Sequence, residues 1–253
     1  MKITFLGTGT SIGVPVIGCD CCVCQSSDSR DVRLRSSILW TIGNTTLLID
    51  AGPDFRQQML RSHCRNIDGI LITHEHYDHV GGLDDVRGLN YTMGCSVTIY
   101  AENHTAEAIR KNLSYVFTAN KYPGVPQLLL NEIDENRFYI NGIEIIPIRV
   151  LHYKLPILGY RIGDCAYITD ASFIPESSME LLRGCKTLVI NALRHHEHMS
   201  HFTLKQAIEV IDIIKPQRAY LTHMSHEIGL HAEVQPTLPA NVFLSYDGLE
   251  IEC

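Results

Sequence analysis

Apolar and polar positions alternate along this chain in short blocks, and most blocks end at a glycine, a proline or an Asn-Gly pair. KITFLG (2–7) predicts a strand running into the glycine-rich turn GTGTSIG. SSILWTIGNTTLLIDAG (36–52) predicts a hairpin, because two runs rich in β-branched residues flank Gly43-Asn44. PDFRQQMLRSH then predicts a helix with Pro53 in its first position, where a missing N–H costs nothing. Residues 69–72 and SVTIYA (96–101) predict further strands. In the second half, RFYINGIEIIPIRV and LGYRIGDCAYITD predict hairpins turning at Asn141-Gly142 and Gly163-Asp164. IPESSMELLRG predicts a short helix, and TLVINA a strand. TLKQAIEVIDIIKP is the clearest helix: Thr203 and Gln206 form a capping box, and Leu204, Ala207, Ile208, Ile211 and Ile214 share one face before Pro216. RAYLTH and NVFLSYDG predict the last strands. Strands followed by helices in both halves predict an α/β architecture, with two sheets face to face and helices outside.

The polar residues that close these strands carry the candidate chemistry. ILITHEHYDHVGGLDD (70–85) places three histidines and an aspartate in six residues after an apolar run. His74 and His76 are two apart, so an extended segment points both to one side. Asp78 and His79 follow where the chain must turn or enter a helix. His152, Asp170 and His223 each stand at the end of another apolar strand. Imidazole and carboxylate suit zinc, manganese or iron, and seven such side chains at strand ends predict a metal site rather than a solvated loop.

The cysteines add a second candidate. No export signal is read at the amino terminus, and no apolar run nears the roughly 20 residues of a membrane span, so a cytoplasmic location is expected. In a reducing compartment nine cysteines predict thiols rather than disulfides, and GCDCCVCQ clusters four of them, Cys19, Cys21, Cys22 and Cys24. Thiolates this close favour zinc and need a fourth ligand; spacing leaves open whether Cys22 replaces a neighbour. The net charge of −7 argues against broad binding to nucleic acid.

THEHYDH matches the H-x-H-x-D-H signature of the metallo-β-lactamase superfamily, and the resemblance runs through GTGTS and Asp50-Ala51-Gly52 over the whole length. It implies one hydrolase domain over 1–253 with an αβ/βα sandwich and a two-metal site. On that resemblance His74, His76 and His152 hold one divalent ion, Zn or Mn. Asp78, His79 and His223 hold the other, Asp170 bridges them, and Asp78 counts as catalytic as well as ligating. The Cys cluster, the second histidine of THMSH and the tail SYDGLEIE resemble the PhnP family of phosphoribosyl cyclic phosphodiesterases. That implies a structural zinc on Cys19, Cys21, Cys24 and His226, and a small cyclic phosphodiester as substrate, hydrolysed by a water activated between the two ions. His201, in HMSHFTLKQ, matches the family's catalytic histidine and would act as general acid. His195, His196 and His198 are expected to be loop residues. Arg194 suits either a substrate phosphate or the surface, and no substrate-binding residue is assigned.

Rival readings stay open at this level. HFTLKQA and HYKLPILGYRI also resemble tRNase Z nucleases, although the acidic charge and the lack of a basic insertion speak against tRNA. An ester or thioester hydrolase of the same superfamily fits the same ligands. A redox or metal-storage protein fits least, because oxygen-reducing relatives carry glutamate where this chain has His76. A homodimer is compatible with the sequence, and a membrane partner is not expected.

Overall fold

The computed structural model describes residues 1–253. The first half builds strands β1 (Lys2–Gly7), β2 (Ser37–Ile42), β3 (Thr45–Ile49), β4 (Gly69–Leu71), β5 (Val97–Glu102) and β6 (Leu128–Ile133). The second builds β7 (Phe138–Ile140), β8 (Ile143–His152), β9 (Leu155–Ile162), β10 (Cys165–Ile168), β11 (Thr187–Asn191), β12 (Arg218–Thr222) and β13 (Val242–Leu244). The closing strand β14 (Glu250–Glu252) returns to the first half. Two seven-stranded mixed sheets result, ordered β14-β1-β2-β3-β4-β5-β6 and β13-β12-β11-β10-β9-β8-β7. The helices are α1 (Phe55–Ser62), α2 (Tyr77–Val80), α3 (Arg87–Met93), α4 (Asn103–Asn112), α5 (Ser114–Phe117), α6 (Glu176–Leu182), α7 (Leu204–Ile214) and α8 (His231–Val234). No helix is long and apolar enough to cross a membrane.

The period-2 pattern of the strands decides the layering. Phe5, Trp40, Ile49, Tyr160, Tyr167, Val189 and Tyr220 point inward and join both sheets in one buried layer. Their strand neighbours point outward: Leu39, Leu48 and Ile70 pack under α1, α3 and α4. Ala166, Leu188, Ile190 and Leu221 pack under α6 and α7. Strands buried on both faces read as unbroken apolar runs, as the sequence shows. The arrangement is the αβ/βα sandwich expected above.

Turns behave largely as predicted. Asn141 and Gly142 both have positive φ, 50° and 79°, as the two-residue hairpin between β7 and β8 requires. The capping box of α7 is formed, with Thr203 Oγ1 accepting from the Gln206 N–H and Gln206 Oε1 accepting from the Thr203 N–H. One boundary differs. Helix α1 starts at Phe55 rather than at Pro53, and Asp54 takes the cap position without capping through its side chain. Its carboxylate is engaged by the N–H of Arg35 at 2.9 Å and by the Arg35 guanidinium at 3.1 Å.

The topology places the chemistry. Strands β3, β4 and β5 are parallel, as are β10, β11 and β12, and β8 runs in the same sense as β10 through two antiparallel pairings. Asp50, His74, His152, Asp170 and His223 therefore all leave carboxyl ends of strands at one edge of the sandwich. That is where open α/β sheets bind ligands.

Candidate metal centre

The THEHYDH segment leaves β4 extended and turns at His76, whose φ of −60° and ψ of 146° mark the N-cap of α2. His74 Nε2 and His76 Nδ1 come within 3.0 Å of each other. His74, His76 and His152 present donor atoms within 4.8 Å of one another, and so do Asp78, His79, Asp170 and His223. The loop is clamped from below: the Ala51 N–H donates to the His79 carbonyl, and the Gly82 N–H to that of Ala51, each at 2.8 Å. Gly52 permits this approach, since a Cβ there would lie 2.0 Å from the Asp78 carbonyl oxygen.

Asp50 organises the site from behind, a role the sequence reading missed. His79 Nδ1 donates to its Oδ2 at 2.7 Å, which turns His79 Nε2 toward Asp78 (3.1 Å) and Asp170 (3.3 Å). The Thr73 hydroxyl donates to the same carboxylate at 2.9 Å and lies 2.9 Å from His74 Nδ1, leaving His74 Nε2 for the site. One buried carboxylate thus fixes the tautomers of two histidines. His152 is set similarly, with Nδ1 donating to the carbonyls of Asp170 and Ser200, both at 2.8 Å. His223 has Nδ1 3.2 Å from Asp170 Oδ2 and Nε2 3.3 Å from Thr10 Oγ1. Asp50, Asp170 and His223 hold positive φ of 62°, 56° and 55°, a left-handed conformation uncommon outside glycine that tends to mark functional sites.

The electrostatics call for a cation. Burial pushes His79 down, but Asp170, Asp78 and Asp50 together outweigh it and hold the imidazole well above its ordinary pKa. Burial would raise Asp170, yet His223 and His79 keep it well below the carboxylate range. His74 is driven well down, by burial first and by its charged neighbours next. Buried Asp50 and Asp170 and half-buried Asp78 thus lean on one imidazole, while His79 Nε2 and His201 Nδ1 are buried without a hydrogen-bond partner. Divalent cations fit this donor set, since they would supply the missing charge to convergent lone pairs.

His201 flanks the shared carboxylate, with Nδ1 3.8 Å from Asp170 Oδ1. Burial pushes it down to about 3 against the opposing pull of Asp170. His198 lies near it with its ring tilted, ring centroids 5.1 Å apart, while exposed His196 remains in the loop and His195 bonds the Ile228 carbonyl through Nε2. Arg194 is already occupied: it pairs with Glu227 at 2.7 Å and donates to the carbonyls of His196 and Glu197. Those contacts fasten two loops together and do not present the guanidinium to a substrate.

The cysteine cluster resolves the ambiguity over Cys22, which is exposed and outside the group. His226 Nδ1 lies 3.4, 3.3 and 3.5 Å from the sulfurs of Cys19, Cys21 and Cys24. A zinc tetrahedron with ordinary bond lengths has sulfur–nitrogen edges of about 3.5 Å, so the spacing fits. The Cys24 N–H and His226 pull Cys21 down to about 6, whereas burial pushes Cys24 up to about 11. Cys21→Ser should release one zinc and lower Tm by about 5–10 °C while sparing the remaining metal content. Elemental analysis with a melting curve checks this, and unchanged zinc with normal melting would refute it.

The profile of the Beta-lactamase superfamily domain matches residues 45–224. The chain belongs to that superfamily. It is 42% identical to a structurally solved diphosphatase from the PhnP family, superposes at a TM-score of 0.93, and covers 99% of this chain and 96% of that one. Within the superfamily it belongs to the PhnP family. An octanoyltransferase of Porphyromonas gingivalis is 44% identical over 253 residues, which are 99% of this chain and 51% of that protein. A ribonuclease Z of Prochlorococcus marinus is 30% identical over 173 residues, 65% of this chain and 50% of that one. The chain spans about half the length of these curated relatives.

Proposed function

We propose that this protein is a metal-dependent phosphodiesterase acting on a small cyclic phosphodiester such as 5-phosphoribosyl 1,2-cyclic phosphate. The observation that carries the reading is the position of Asp170 between two donor groups: it clusters with Asp78, His79 and His223 and also with His152, which itself groups with His74 and His76. When bound, two divalent ions would activate a water and neutralise charge on the phosphate oxygens. The chain's own part is orientation: Asp50 sets His79 directly and His74 through Thr73, and the carbonyls of Asp170 and Ser200 set His152. His201, beside Asp170 but free of any hydrogen bond at Nδ1, would hand a proton to a departing alkoxide. The diphosphatase relative supports phosphorus as the electrophile.

A second reading, hydrolysis of an acyl ester or thioester, is favoured by the octanoyltransferase relative, whose name belongs to a protein twice this length. A panel of ribosyl 1,2-cyclic phosphate, nucleoside cyclic phosphates, octanoyl thioesters and pre-tRNA, assayed with zinc and with manganese, separates the readings. We expect turnover of the cyclic ribose phosphate to exceed that of every thioester and of pre-tRNA. Efficient pre-tRNA cleavage or thioester hydrolysis without phosphodiester turnover would overturn the proposal.

A further inference from the structure

A cavity of about 720 Å³ is lined by none of the site residues; it is a trough outside the first sheet between α1 and α3. Its size falls within the range of small-molecule pockets. The floor is apolar, built from buried Phe55, Met59 and Leu89, and the rim carries Arg56, Arg65 and Arg87 against one acid, Asp85. Asp84 holds Arg87. Arg56 and Arg65 have no carboxylate or carbonyl partner, whereas every other arginine except Arg218 does. In a chain of net charge −7, two of the three uncommitted guanidiniums therefore border one apolar trough.

We propose that this trough is a binding site for an amphiphilic anion, a carboxylate or phosphate head on a flexible aliphatic chain of medium length. Guanidinium forks bind such heads through paired charge-assisted hydrogen bonds. The floor suits a chain better than a flat ring. Met59 adapts its shape, Leu89 is branched, and Phe55, only 2% exposed, offers no free face for stacking. The half-buried thiol of Cys64 lines the same trough and donates to the Asn66 carbonyl at 3.2 Å, so it reports on occupancy.

The test uses the full zinc-loaded chain and decanoate below its micelle-forming concentration. Alkylation of Cys64 is followed by peptide mass mapping, with exposed Cys22 and Cys95 as references. Decanoate should slow labelling of Cys64 alone. Decanol, which lacks the charge, and acetate, which lacks the chain, should need at least about tenfold higher concentrations, the equivalent of one charge-assisted contact. Arg56→Gln with Arg65→Gln should abolish the preference for decanoate over decanol. Gly88→Phe should abolish protection with the fold intact, because a Cβ at Gly88 meets nothing within 4 Å and its ring can enter the trough. Cys64 left unprotected at high decanoate, equal protection by decanol, or protection persisting in both variants would each overturn the proposal.

Discussion

Asp170→Asn should lower phosphodiester turnover by at least about 10³-fold and strip the protein of most of its site metal while leaving it folded. This carboxylate joins the two donor groups: Oδ2 lies 3.3 Å from His79 Nε2 and 3.2 Å from His223 Nδ1, and Asp170 also stands with His152 and His201 in a cluster whose donor atoms lie within 4.8 Å of one another. Asparagine preserves the shape and loses the charge. It also tolerates the left-handed backbone at φ 56° better than alanine would. Turnover should therefore fall without the backbone strain that an alanine variant would add. Elemental analysis, circular dichroism and kinetics on one preparation check it. Full metal content with turnover within tenfold of the parent would refute a shared-ligand role.

The strand-end donors were legible because ionisable residues stand out at the close of an apolar run, singly or as one dense cluster. His74, His76, Asp78 and His79 share one segment, and Asp170 and His223 close strands of the second sheet. Asp50 sits in the same position after β3, yet its role lay hidden, because a residue that orients a ligand looks in sequence like any strand-closing aspartate. Nothing local tells the two apart; only the 2.7 Å contact with His79 does. The same limit applies to Gly52, whose importance is the carbonyl of a residue 26 positions on.

The elements that escaped prediction are those with weak periodicity. Helix α4 buries only Thr105, Ala106 and Ile109, too few apolar positions to mark a face from sequence. Strand β6 lies at the edge of its sheet, so Leu129 and Glu132 are exposed and the alternation blurs. Strand β14 owes its place to pairing with β1, a contact across the full chain length that no local pattern encodes. The cysteine cluster is intermediate. Spacing pointed to metal as the better use of these thiols, but only folding separates exposed Cys22 from the three sulfurs around His226.

His201→Ala should divide substrates by leaving group. Hydrolysis of an alkyl phosphodiester or ribosyl cyclic phosphate should slow by about 10²–10³-fold, the usual worth of a positioned general acid. Release of p-nitrophenolate from bis(p-nitrophenyl) phosphate should slow by less than about tenfold, because that anion leaves without a proton. The geometry motivates the contrast: His201 is buried beside Asp170, makes no hydrogen bond at Nδ1, and belongs to the donor group with His152 and Asp170. Without substrate the imidazole is held neutral, since burial, helped by the neighbouring histidines and opposed by Asp170, pushes it down to about 3. An anionic phosphodiester brought against it opposes that push, so bound substrate raises the protonated fraction. The buried imidazolium then formed is a stronger acid than one in water, which suits protonation of an alkoxide. A ligand role for His201 predicts something different: metal content would drop and both substrate classes would slow together. Parallel losses on the two, whatever the metal content, would remove the acid role, whereas a gap of at least tenfold between them with metal retained would establish it.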